Sequence, residues 1–485
     1  MSYTSLEYFA FLLLLIIVYY ILPKRFRWMS LLAGSLFFYW QIMTDKRQIF
    51  ILLFSLTVTY FCGLILQKLK KSSNIIKKRL ILFTGIGFST LPLLAEKAGS
   101  LLLGNKGIPE NISILIPVGL SFYSLQLIAY LVDIYKGTIT VQVNPLKFTL
   151  FATFFPQIIQ GPIPRYGQLK SELFEGHDFK QENLMKGIQL VIWGFFLKFM
   201  IADKASIVVN TVFDNFPAYR GTYIWVAAIL YSLQLYTDFL SCTTISQGVS
   251  KMLGINLTDN FNRPYFSTSV KDFWRRWHMS LSLWLRDYIY IPLGGNKFGL
   301  GRKWLNLLVT FGVSGLWHGD SLKYIFWGLL HSVYQICGEM YFRVAKKHKP
   351  ELVTKEPTAI TTHVRRIRTF FLVMIAWVVF RAASFKTSLK MIRSMFSDFN
   401  PWILGDDSIF NLGLGWKEFA VLILALLLLL VISTKQEAGV KIRDWFAKQN
   451  IAVRWITYLL AIWSIWIFGS YGFGFNAQDF IYGGF

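Results

Sequence analysis

A chain of 485 residues with 54% hydrophobic and 17% aromatic side chains falls outside soluble-enzyme proportions, and points to the bilayer as its solvent. Fifty Lys and Arg against 26 Asp and Glu give +24, yet the excess sits in short connections between apolar segments, which excludes nucleic acid as the partner. Cys62, Cys242 and Cys337 are odd in number, far apart and inside apolar stretches, so neither a disulfide framework nor metal-ligand spacing is visible.

In chain order, apolar segments recur near 6–22, 28–43, 49–66, 80–95, 112–132, 148–160, 184–212, 222–250, 304–318, 322–342, 369–385, 416–433 and 453–472. The first lacks a basic leader, carries Glu7 and runs into Pro23-Lys24-Arg25, so it reads as a retained helix and not as a cleaved signal. Basic segments 23–27 and 67–79 follow the first and third helices, which predicts that both are cytoplasmic and that the N-terminus lies outside. Phe155-Pro156 and Gly161-Pro162-Ile163-Pro164 interrupt an apolar stretch, and predict re-entrant backbone covered by protein or by a water-filled cavity. The polar stretch from Lys346 to Arg368 reads as an exposed cytoplasmic loop. The expected fold is all-α and polytopic, with about 11–13 transmembrane or re-entrant helices plus interfacial amphipathic helices. It is expected to form one membrane domain over residues 1–485.

Lys271 to Tyr290 reads as one amphipathic helix. Phe273, Trp277, Leu281, Trp284 and Tyr288 recur on one stripe, while Arg275, Arg276, Arg286 and Asp287 lie mostly off it. Such a helix is expected at the cytoplasmic headgroups. His278 lies about 100° around from the stripe and four residues after Trp274, a placement that suits a snorkelling interfacial histidine or a catalytic one.

Trp304 to Gly319 puts Ser314 and Gly315 four and three residues before His318, on the same helical face, so the imidazole is expected to look over a surface with little bulk. From Trp304 to His318 a helix rises about 21 Å, short of the hydrocarbon thickness, which predicts a submerged turn at Gly319-Asp320-Ser321 and an outward-facing funnel with His318 at its floor. A core histidine bonded to a carbonyl is the bland alternative, but ionisable residues at membrane depth default to function. His331, four residues after Trp327 and three after Gly328, repeats this environment on the next helix, with the bland alternative stronger.

The stretches VGLSFYSLQLIAYLVDIYKG (118–137), FFPQIIQGPIPR (154–165), NFNRPY (260–265), FWRRWHMSLSLWLRDYIYIPLGGNK (273–297), SGLWHG (314–319), WGLLH (327–331) and WVVFR (377–381) follow one another through much of the chain. With these motifs in this order the chain resembles the membrane-bound O-acyltransferase (MBOAT) family, and within it the branch that O-acetylates polysaccharides such as alginate. The core motifs then span about residues 118–381. The resemblance implies that His318 is the family's catalytic histidine and His278 its second, cytoplasmic-side histidine. It also implies that Trp274, Arg276, Trp277, Asp287, Ser314, Gly315, Trp317, His331, Asn262 and Asp238 line or support a substrate passage, with no metal and no bound cofactor. One stretch departs from the pattern. Relatives carry an FDFSG-type segment and a following Asp, whereas Tyr236 to Thr244 here reads YTDFLSCTT, keeping Asp238 but not the small residue, the Gly or the second Asp.

O-acylation needs a base for the hydroxyl proton, an activated carbonyl and donors for the developing oxyanion. The resemblance implies an acyl donor, acetyl-coenzyme A or an acyl carrier, arriving from the cytoplasm past His278, with His318 as base at the outer end. Its implied setting is the cell inner membrane, and its implied partners are the bilayer and an extracytoplasmic acyltransferase or polysaccharide-synthesis complex. D-alanylation of teichoic acid is the competing acyl chemistry, and the IPLGGNK continuation (291–297) favours acetyl. A transporter or flippase would show internal repeats, and none is seen. A non-catalytic scaffold is the third reading, since the altered 236–244 stretch is compatible with lost activity.

Overall fold

The computed structural model describes Tyr3 and residues 5–103, 117–319, 321–348 and 357–471. Among these residues every regular element is helical. The protein is an all-α polytopic membrane protein. Among the described residues six helical segments are long and apolar enough to cross a bilayer: Gln48–Lys71, Ile75–Glu96, Gln181–Asp214, Thr222–Met252, Trp416–Glu437 and Ile451–Phe468. No residue of Ile451–Phe468 is buried, so apart from its protein contacts the surrounding solvent for its Leu, Ile and Trp side chains is lipid.

The chain forms two compact units. Of the described residues, the first comprises those up to Val191 together with 242–259, and the second comprises 192–241 and those from Asn260 onward. The first unit contains α1 (Leu6–Ile21), α2 (Arg27–Ile42), α3 (Gln48–Lys68), α4 (Ile75–Leu103), α5 (Leu120–Lys136), α6 (Pro145–Thr153) and α7 (Tyr166–Phe174). Between α6 and α7 the backbone leaves the helical path, as the prolines predict, and residues 154–164 are almost wholly covered by protein. Backbone groups at its start find side-chain partners: Tyr3 Oη donates to the carbonyls of Phe155 and Pro156 at 3.0 and 3.2 Å, and Ser35 Oγ accepts from the Phe155 N–H at 3.2 Å. Gly119 (φ +77) sits so close that an added Cβ would lie 2.4 Å from the Ile158 carbonyl oxygen, so only glycine serves there.

Next in the chain come α8 (Gln181–Phe195), which continues through a π-helical turn, Phe196–Ala202, into α9 (Asp203–Asp214), and α10 (Thr222–Met252). The second unit adds α11 (Val270–Arg276), α12 (Met279–Leu285), α13 (Gly299–His318), α14 (Leu322–His348) and α15 (Ala359–Arg381). It is completed by α16 (Phe385–Ser397), α17 (Trp416–Glu437), α18 (Ile442–Ala447) and α19 (Ile451–Phe468).

Four expectations need correction. The stretch from Lys346 to Arg368 is not a loop over its described residues: α14 continues to His348 and α15 already begins at Ala359, capped by the Thr358 hydroxyl. Residues 349–356 of that stretch, 112–116 and Asp320 lie outside the described residues. The helix carrying His318 begins at Gly299, five residues before Trp304. At about 1.5 Å per residue its 20 residues cover about 30 Å, so length alone no longer forces the turn after His318 below the membrane surface. The segment Phe385–Ser397 was absent from the apolar series, yet it forms a helix that buries Met391 and Met395 and turns its lysines and Arg393 outward.

The fourth correction concerns Lys271 to Tyr290, which is not one helix. α11 ends at Arg276, His278 adopts left-handed backbone (φ +42), and α12 restarts at Met279 before a π-helical turn at Arg286–Tyr290. Nor does the aromatic stripe face headgroups, because Phe273, Trp277, Leu281 and Trp284 are all buried in protein. A left-handed residue other than glycine costs about 1–2 kcal/mol. Here it is offset by bonds to a neighbouring loop segment: the Met279 N–H donates to the Asn260 carbonyl at 2.8 Å, and the Asn262 N–H donates to the Arg276 carbonyl at 2.8 Å.

Candidate functional site

The site lies in the second unit and is built from the inside out by packed rings. His318, the last residue of α13, meets Trp317 (centroids 4.8 Å apart), Trp327 (5.0 Å) and Phe380 (5.7 Å). Trp317 is also 6.1 Å from His278, so one indole is flanked by both imidazoles. His278 is further fixed by the edge of Phe239 at 4.7 Å. Both histidines are only 1% exposed. Bulk water is therefore excluded from both imidazoles.

The break at His278 is what turns its imidazole inward. In a continuous helix this residue would sit beside the stripe; the left-handed turn places it in the protein interior, against α10 through Phe239. On its other side stands Asn260, whose Oδ1 lies 3.2 Å from His278 Nδ1 and accepts from the Ser280 N–H at 3.1 Å and the Ser280 hydroxyl at 2.8 Å. Asn260 is buried, whereas Asn262, the asparagine singled out in NFNRPY, has an exposed side chain and contributes its backbone N–H to Arg276. Of the two asparagines of this motif, it is the buried Asn260, two positions earlier, whose side chain meets His278.

The remaining sequence candidates divide. Trp274 packs on Phe311, Trp327 and His331, and Trp277 packs on Phe261, Phe273 and Trp377. His331 is fully buried in that aromatic cluster, and neither of its ring nitrogens has a hydrogen-bond partner among the described residues. Ser314 is buried, with its hydroxyl likewise unpartnered among the described residues. Arg276 belongs elsewhere: it grips Glu437 through two 3.0 Å bonds and Asp272 at 3.4 Å, alongside Arg263, which reaches Glu437 at 2.7 Å. Asp287 pairs with its neighbour Arg286 at 2.8 Å.

The space expected beside Gly315 is filled. A Cβ there would lie 2.2 Å from the Tyr324 carbonyl oxygen, and one on Gly328 would lie 2.1 Å from that of Phe311. These two glycines let the backbones of α13 and α14 touch, as small residues do between membrane helices. The low bulk below His318 is therefore a helix crossing, not room for an acceptor.

Asp238 is placed where the sequence did not foresee. With Asp203 it holds the ammonium of Lys198, at 2.8 and 3.0 Å respectively, and all three side chains are about 4% exposed or less. Lys198 stands in the π-helical turn, a feature that recurs at functional sites. The signal was present in the sequence as a lysine and an aspartate inside the apolar run 184–212. Because Asp238 precedes Phe239, this ion cluster anchors the part of α10 that presses on His278.

The family model for membrane-bound O-acyltransferases matches residues 138–385. The chain is 32% identical over 438 residues to the probable alginate O-acetylase AlgI of Azotobacter vinelandii, covering 88% of this chain and 84% of that protein. It is 30% identical over 430 residues to the peptidoglycan O-acetyltransferase of Helicobacter pylori, covering 81% and 79%. The teichoic acid D-alanyltransferase of Bacillus subtilis is 32% identical over 252 residues, covering 48% and 61%.

Proposed function

The chain belongs to the membrane-bound O-acyltransferase family and is an acyltransferase, and from that premise we propose that it carries acetyl groups from a cytoplasmic thioester to an extracytoplasmic polysaccharide. The donor is acetyl-coenzyme A or an acetylated carrier. The acceptor hydroxyl belongs either to the polysaccharide or to an extracytoplasmic acyltransferase that completes the transfer. The observation that carries this reading is the pair of buried imidazoles flanking Trp317.

In the proposed step His318 takes the proton of the acceptor hydroxyl as its oxygen attacks the thioester carbonyl carbon. The tetrahedral intermediate collapses with loss of the C–S bond, and the thiolate leaves as thiol once it has recovered that proton. No net proton is released. Acetyl is favoured over D-alanyl because the match to the O-acetylating relatives covers four-fifths or more of this chain and that to the Bacillus subtilis D-alanyltransferase about half. The decisive experiment supplies the purified, reconstituted protein with radiolabelled acetyl-coenzyme A, acetylated carrier or D-alanylated carrier in turn, and follows label onto a hydroxyl acceptor. Transfer from an acetyl donor is the expected result; transfer from the D-alanyl carrier alone would reverse the choice.

We place the protein in the cell inner membrane with its N-terminus outside and the α11–α12 region towards the cytoplasm, following the basic loops at 23–27 and 67–79. Ser280 is buried and would not report on this. Arg275 is exposed. In a background without the three native cysteines, Arg275→Cys is expected to react with an impermeant maleimide in inverted vesicles and not in intact cells. Labelling of intact cells would invert the topology.

A further inference from the structure

The tautomer of His278 is written in the backbone around it. A peptide N–H can only donate, so the Asn260 side-chain atom facing the Ser280 N–H at 3.1 Å has to be the carboxamide oxygen and not its nitrogen. That oxygen also takes the Ser280 hydroxyl at 2.8 Å. The same atom faces His278 Nδ1 at 3.2 Å. Two lone pairs do not share that distance favourably, so Nδ1 carries the hydrogen. In the neutral ring the lone pair is then on Nε2.

We propose that Asn260 is a positioning residue that locks His278 in the Nδ1–H tautomer and so presents Nε2 as a hydrogen-bond acceptor. The consequence for the chemistry is specific. The neutral His278 ring has an acceptor for an O–H or S–H group, such as the thiol released from the acyl donor, and no free donor for the thioester carbonyl oxygen. The oxyanion donors of the reaction are other groups. Asn260 is held for this task by its own chain, since its carbonyl accepts from the Met279 N–H at 2.8 Å. The segment that supplies the orienting oxygen thereby also closes the left-handed turn that aims the imidazole.

This inference rests on the proposed acyl transfer taking place beside His278, and its first test does not depend on activity. The full chain, labelled with ¹⁵N-histidine and reconstituted in lipid nanodiscs, has six histidines, and the His278 signals are those lost in His278→Gln. The expected spectrum has a protonated Nδ1 and a bare Nε2. A bare Nδ1 with a protonated Nε2 would overturn the assignment outright. The second test is kinetic. Asn260→Leu removes the acceptor and is expected to mix the two tautomers and lower kcat at least about 10-fold with donor KM unchanged, as loss of the residue that orients an active-site imidazole does elsewhere. Asn260→Asp keeps an accepting oxygen and is expected to restore the tautomer and most of kcat. If Asn260 only closed the turn, Asn260→Leu would reduce folded yield and leave the tautomer and the kcat of the folded fraction as they were. If His278→Gln kept full activity, the role proposed for His278 would fall while the tautomer assignment stood.

Discussion

His318→Ala is expected to lower acyl transfer by about 10²–10⁴-fold, the range over which a positioned general base acts. The loss should appear in kcat, because the imidazole is needed when the hydroxyl proton moves and not for holding the donor. Truncation also leaves a void among Trp317, Trp327 and Phe380, so a drop in folded protein has to be separated from a drop in chemistry. His318→Asn fills much of the void without supplying a base of suitable strength. Both variants should therefore be inactive, with the Asn variant giving nearly the parent yield of detergent-stable protein. Parent-like turnover in the Asn variant would remove His318 from the mechanism.

Gly315→Leu is expected to do the opposite and abolish folding before chemistry can be measured. A single methyl at this position already overlaps the Tyr324 carbonyl oxygen at 2.2 Å, with the Tyr324 carbonyl carbon and Ile325 Cα within 2.9 Å. These are backbone atoms that no rotamer change can move. Overpacking of ordinary cores costs about 1–3 kcal/mol, and a collision with backbone belongs at or above the top of that range. The α13–α14 crossing would have to open, carrying Trp317 and His318 with it. The control is on the same helix: Gly312, where an added Cβ meets nothing within 4 Å. Gly312→Leu should keep yield and activity, helped by leucine's better helix propensity of about 0.8 kcal/mol. Yield falling for Leu at 315 but not at 312 supports the crossing; constant yield with falling activity at 315 would restore the idea of an acceptor cavity there.

Much of the site was legible because local pattern carries it. The SGLWHG segment sets Ser314, Gly315 and His318 on one helical face whatever surrounds them, since 3.6 residues per turn fixes that relation. What that face touches is not local. A glycine three residues before a histidine reads alike whether it opens a cavity or admits a neighbouring backbone, and only the approach of Tyr324 decides. The departure at Tyr236–Thr244 was visible as a difference in sequence, but its meaning came from elsewhere: Asp238 is held by Lys198, 40 residues away, and Phe239 rests on His278.

The sequence by itself determined the solvent, the helical class, the broken backbone at the prolines and the family, because hydrophobic length, proline chemistry and ordered motifs are properties of contiguous residues. The tertiary structure decided the break at His278. No glycine or proline marks that position, and the aromatic stripe runs through it at unbroken helical spacing. Left-handed backbone at a histidine is unfavourable in isolation and becomes stable only when a separate segment, here Asn260, takes up the hydrogen bonds that the interrupted helix gives away.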